Sequence, residues 1–217
     1  MSMNLQCQSF IRHCAQHAKQ GVVAKLDCGV VLAWTRSNFR FLNGFFLATT
    51  VVDEQDLRWR LDEIKQYIKQ MKPSFAWALF IEPEWLPLEM IERSKEICSV
   101  AGFILASDFK CMQARDLLQP VRSLPEAEIS FATCNSDIYN AALLNLQAYH
   151  MEESVAETIV NNHALVTDFD KQFCCLVSIN STPVATATTV VLDKCLYVAL
   201  VATSTQHRMQ RNGIHFI

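Results

Sequence analysis

Glycine is scarce in this chain: five of 217 residues, with Gly213 the only one after Gly102. Neither G-x-G-x-x-G nor G-x-x-x-x-G-K-[ST] occurs, which disfavours dinucleotide and nucleoside-triphosphate loops of those kinds. Long apolar runs are also missing. No stretch reaches the roughly 18 residues of a membrane span, and the start, MSMNLQCQSFIRHCAQHAK, has no apolar signal-peptide core. An excess of positive charge is absent too. Nineteen Lys and Arg stand against 22 Asp and Glu, a net charge of −3, so neither a nucleic-acid footprint nor a basic membrane patch is present. The nine cysteines show no C-x-x-C and no Cys/His ligand spacing, which argues against zinc. Together these absences predict a reduced, cytoplasmic protein whose cysteines serve as small hydrophobes.

What is present is a core. Hydrophobic residues make up 51% and charged residues 19%, enough for one large domain or two small ones. In the first half, residues 5–20 read as a helix, followed by extended segments at 22–27, 29–35 and 38–42. Asn43-Gly44 reads as a two-residue hairpin turn, with residues 45–52 as the next strand. The clearest helix spans 53–72. Leu57, Leu61, Ile64, Ile68 and Met71 form one stripe, acids occupy its first turn, and Pro73 stops it. A short strand is expected at 74–81 and a helix at 88–101, closed by Gly102. Segments 103–106 and 109–112 read as strands, and 113–124 as a polar linker marked by Pro120 and Pro125. Trp59, Trp77 and Trp85 read as core and rim packing.

In the second half, residues 128–133 alternate as a strand. A helix follows from Asn135 or Ser136 to about Tyr149, with Ile138, Ala141, Leu144, Ala148 and Met151 on one stripe, and a shorter helix begins after Ser154. Three strands then form a meander at 172–179, 184–192 and 195–203, joined by turns at 180–183 and Asp193-Lys194, with a further turn at 168–171 before it. The last strand, CLYVALVAT, delivers the chain to a polar segment around Gly213. That junction is either an anion site at a helix N-terminus or an ordinary strand–loop–helix turn.

The order strand, two helices, three antiparallel strands, helix resembles the GCN5-related N-acetyltransferase family over residues 126–217. Gln210-Arg211-Asn212-Gly213-Ile214-His215 matches the first and fourth positions of that family's Q/R-x-x-G-x-G/A motif and departs from it at His215. The resemblance implies an α/β (α+β) fold with mixed, largely antiparallel sheets flanked by helices. It implies acetyl-CoA as co-substrate and an amine acceptor. The pyrophosphate would sit on the backbone N–H groups of Arg211, Asn212, Gly213, Ile214 and His215, with Gln210 opening the cradle and Arg208 adding charge. The pantetheine arm would lie along Leu200, Val201, Ala202 and Thr203 as an added strand.

Two departures bear on catalysis. The chain reaches Ile217 about one turn into the cofactor helix, so the general-acid tyrosine that the family carries further on has no counterpart, and the expectation is an incomplete domain. A general base is equally hard to assign. The nearest residues are His150, Glu152, Glu153 and His163, which also read as a solvated turn between helices. Residues 1–120 resemble a degenerate copy of the same architecture, with acidic Asp53 and Glu54 where a phosphate loop would be. The strand at 195–203 would then expose an edge unless the strand at 74–81 covers it or the chain forms a homodimer. Two other classes remain beside the transferase: a non-catalytic CoA-binding or interaction protein of the same fold, and a different α/β protein with another phosphate ligand or a cysteine nucleophile.

Overall fold

The structure is a computed structural model, and it describes residues 5–16, 18–106, 126–162, 171–192 and 195–208. The expected strand at 109–112, the linker at 113–124, the turn at Asp193-Lys194, all but the end of the turn at 168–171, His163 and the Gln210–His215 motif lie outside the described residues.

The chain begins with helix α1 (Leu5–Gln16), which leads into strands β1 (Val22–Lys25), β2 (Val30–Trp34) and β3 (Asn43–Leu47). Helix α2 (Glu54–Met71), strand β4 (Ala78–Phe80) and helix α3 (Ile91–Val100) complete the first half. The sheet order is β1-β2-β3-β4. The first two pairings are antiparallel, while β4 runs parallel to β3, because α2 carries the chain back across the sheet before β4 begins. Most of the predicted stripe of α2 is its buried face: Leu57, Leu61 and Ile64 pack on Leu32, Trp34 and Phe45, and Ile68 is partly buried, while Met71 at the end of the helix is exposed. Asp53 caps the helix by accepting from the Asp56 N–H at 2.9 Å, and Lys72 ends it in the left-handed conformation. The opposite face of the sheet presents Ala33 and Phe46 to Cys7, Phe10 and Cys14 of α1. There Phe46 and Phe80 stack with ring centroids 4.9 Å apart. Of Trp59, Trp77 and Trp85, Trp85 is buried, Trp77 packs against the core and Trp59 is about half exposed.

Asn43-Gly44 is not a hairpin turn. The two residues open β3, pairing with Trp34 and Ala33 of β2, and residues 35–42 form the connection, including one 3-10 turn at Arg40–Leu42. Asn43 is wholly buried. Its Nδ2 donates to the carbonyls of Ser37, Phe39 and Ala76, and its Oδ1 accepts from the Arg36 N–H. Four hydrogen bonds at one amide hold the loop more firmly than any turn propensity would. Gly44 is small for a packing reason, since a Cβ there would stand 2.4 Å from the Phe46 ring. The strand expected at 38–42 is therefore a loop, and it carries Phe39, Phe41 and Leu42 over to the second half of the chain. Residues 103–106 form no strand, and the expected strand 45–52 ends at Leu47.

The second half comprises β5 (Glu128–Phe131), α4 (Asn135–Ala148), α5 (Ala156–Asn162), β6 (Gln172–Ile179), β7 (Thr182–Leu192) and β8 (Cys195–Thr203). These strands form a wholly antiparallel sheet in the order β5-β6-β7-β8. Asn180 (φ 51°) and Ser181 (φ 62°) make the tight turn between β6 and β7, and Pro183 sits beside a register shift where a missing N–H is tolerated. Helix α4 covers one end of the sheet through Ala141 and Leu144 against Leu176 and Ala202. Helix α1 covers the other end, where Arg12 donates to the Val191 carbonyl and the His13 ring meets Gln172. The outer edge of β8 pairs with no strand among the described residues, and β4 lies beside β3 in the other sheet. The expectation that residues 74–81 might cover that edge is thereby corrected. Leu196, Val198 and Val201 stand exposed on β8.

Candidate functional site

The site grows from an irregularity in β8. Thr188 of β7 pairs with Leu200, but Thr189 pairs with Val198, so Ala199 has no partner across the ladder. Such a bulge turns two successive side chains toward one face, and Ala199 and Leu200 both line the same cavity. Ala202 is buried against α4, while Val201 points to the far face and is exposed. Thr203 pairs with Ala185, and its carbonyl accepts from Nε of Arg208 at 3.2 Å across a short 3-10 turn, Thr205–His207. Of the predicted cofactor residues, Leu200, Val201, Ala202, Thr203 and Arg208 thus stand together at the end of β8. Gln210, Arg211, Asn212, Gly213, Ile214 and His215 lie outside the described residues.

The cavity has a volume of about 80 Å³ and lies between α1 and α4 over the sheet. Its floor is the cross-strand row Cys174, Thr188 and Leu200. Ala141, Ala142, Asn145 and Leu146 of α4 form one wall, and Phe10 and His13 of α1 the other. Phe39 and Leu42, brought by the Asn43-anchored loop, and Ile159 of α5 complete the lining. Both halves of the chain therefore build it. Ser9, His13, Asn145, Cys174 and Thr188 are the polar residues among the described residues of the lining, and no described Asp, Glu, Lys or Arg takes part.

Burial governs the titratable groups here. Desolvation lowers the pKa of His13, opposed by the hydrogen bond between its Nδ1 and Gln172 Oε1 at 2.9 Å. Desolvation raises the pKa of the Cys174 thiol, with the Thr186 hydroxyl 3.4 Å away working against it. Cysteine and histidine thus share one cavity, but the sulfur is held as a thiol, the unreactive form. Asn145 is buried as well. Its Nδ2 donates to the Ala141 carbonyl at 2.9 Å, while its Oδ1 has no hydrogen-bond partner.

Of the residues proposed from the sequence as general bases, His163 lies outside the described residues and the other three are elsewhere. His150, Glu152 and Glu153 are exposed in the turn after α4, where Gln147 donates to Glu153 at 2.9 Å, and none of them lines the cavity. Asn145, His13 and Cys174 were missed. Their one sequence signal is on α4, where the small residues Ala141 and Ala142 stand beside a lone amide within an apolar helix face. In the first half, the N-terminus of α2 is filled by the chain's own carboxylates. Asp56 accepts from the Val52 N–H at 2.8 Å and pairs with Arg60 at 2.9 Å, which also donates to the carbonyls of Thr49 and Thr50.

No protein-family model matches this chain, and no curated protein matches it by sequence. Among solved structures, it is similar to a GCN5-related N-acetyltransferase from Kribbella flavida, with a TM-score of 0.61 and 19% identity over 98% of this chain and 77% of that one. A functionally unknown conserved protein from Staphylococcus epidermidis aligns over 96% of this chain and 80% of that one at 13% identity, with a TM-score of 0.47 too low to carry weight. The first likeness spans both sheets, so the chain has a mixed α/β fold, two largely antiparallel four-stranded sheets with helices, of the kind seen in a GCN5-related N-acetyltransferase.

Proposed function

We propose that this chain is an acyl-CoA-dependent N-acetyltransferase that moves an acetyl group from acetyl-CoA to an amine by direct attack. The observation that carries the reading is the bulge at Ala199. It sets a strand edge that is unpaired among the described residues beside a cavity, on a fold similar to that of an N-acetyltransferase. An extended pantetheine arm would add to the edge at Leu200, Val201, Ala202 and Thr203 through main-chain hydrogen bonds. Arg208 and the segment Gln210–His215 would receive the phosphates. The amine lone pair would attack the thioester carbonyl carbon. The N–C bond forms as the C–S bond breaks, and CoA leaves with the electron pair. Backbone N–H groups near the bulge would stabilise the developing oxyanion. Residues 1–120 are read as a degenerate copy of the same architecture, supported by the carboxylates that occupy the N-terminus of α2.

Thermal unfolding with and without acetyl-CoA tests the reading. A ligand of the folded state at a hundredfold excess over Kd adds about 2.7 kcal/mol of stability. A cooperative melt that does not move at millimolar acetyl-CoA would overturn it. The exposed placement of Glu152 and Glu153 favours a second reading, a CoA-binding protein of this fold without turnover. Release of free CoA thiol across an amine panel separates the two.

A further inference from the structure

Asn145 holds an unspent hydrogen-bond acceptor inside the molecule. Only the NH2 group of its amide can donate to the Ala141 carbonyl, so the 2.9 Å contact fixes which atom is which. Oδ1 is left buried without a donor, on a residue that lines the cavity. A buried carbonyl oxygen without a partner is costly, and such groups in native proteins often mark a functional role. Around it the lining is mostly apolar and carries no ionic side chain among the described residues.

We propose that this cavity binds a small uncharged molecule with an apolar body and one N–H donor, which Asn145 Oδ1 receives. Within the acetyltransferase reading, on which this role rests, the molecule is the acceptor: a weakly basic amine such as an aromatic amine. An ammonium would enter a lining with no carboxylate among the described residues to pair with, and burying an unpaired cation is prohibitive. A weakly basic amine is already neutral at pH 7. Its N–H serves Asn145, its lone pair is free, and no general base is needed to prepare it. Ala199 and Leu200 line the same cavity and belong to the strand edge proposed for the thioester arm. Attack would form the N–C bond and break C–S, and the proton shed by nitrogen would end on the departing sulfur as the CoA thiol.

The test is calorimetric titration of the full chain at pH 7.5, without acetyl-CoA, using aniline, N,N-dimethylaniline and benzylamine. Aniline is expected to bind at least tenfold tighter than N,N-dimethylaniline, which has no N–H, and tenfold tighter than benzylamine, an ammonium at that pH. Asn145→Leu should bring aniline and N,N-dimethylaniline to equal affinity, and Ala142→Leu should abolish both by filling the space. Equal affinity for those two ligands in the unaltered chain would overturn the proposal, as would tighter binding of benzylamine or no binding at all. The comparison within the unaltered chain decides even if a variant fails to fold. Acetyl-CoA takes no part, so a failed acetyl-CoA shift would remove the acceptor role and leave the binding site standing.

Discussion

His13 Nδ1 and Gln172 Oε1 stand 2.9 Å apart and join the first helix of the chain to the first residue of β6. Burial lowers the pKa of the His13 imidazole from its ordinary 6.5, opposed by the hydrogen bond to Gln172. The unfolded chain therefore binds more protons at this residue, and stability rises with pH. The contribution is complete above the ordinary value and is lost as pH falls through it toward the lower folded value. The slope from this one group cannot exceed about 1.4 kcal/mol per pH unit. Urea titrations at pH 7.5 and 5.5 should show lower stability at the acid point. The difference should shrink in His13→Gln, and an unchanged difference would contradict the assignment.

Asn43→Ala should destabilise the chain by about 3 kcal/mol. It removes one acceptor and two donors at a wholly buried position, and groups left unpaired there each cost about 1–3 kcal/mol. Equilibrium urea unfolding reads the loss. A change below about 1 kcal/mol would mean that the 35–42 loop does not depend on this amide.

Asn145→Leu should act in the opposite direction. Replacing an unsatisfied buried amide by an apolar group of similar shape removes its desolvation penalty and is expected to stabilise by about 1 kcal/mol. A raised melting temperature with lost discrimination among amines is the pattern of a group kept for binding at the expense of stability. A lowered melting temperature would show that Asn145 serves the fold.

Gly213→Trp should weaken acetyl-CoA binding by at least tenfold, because a large side chain would keep the phosphates away from the backbone N–H groups proposed to hold them. The shift of the melting midpoint across an acetyl-CoA titration measures it. Unchanged affinity would count against the placement of the cofactor at this glycine.

Much of this protein is written locally. Helix α2 follows from the spacing of Leu57, Leu61 and Ile64, its cap Asp53 and the stop at Pro73, all within one stretch of chain. The meander β6–β8 follows from β-rich runs separated by turn residues. Other features depend on neighbours distant in sequence. Asn43-Gly44 has the local signature of a hairpin, yet three carbonyls, one of them at Ala76, recruit the amide instead, and burial makes those bonds worth more than the turn. The partner of β4 was illegible because parallel pairing is set by the crossover of α2 and leaves no mark in the strand. The cavity is the extreme case. Phe10 and His13, Phe39 and Leu42, Asn145, Cys174 and Leu200 come from five separate segments. By itself the sequence determined α2, the meander β6–β8 and the resemblance in the order of elements. Only tertiary packing decided which polar atom would be buried without a partner, because that depends on what every other segment leaves unfilled.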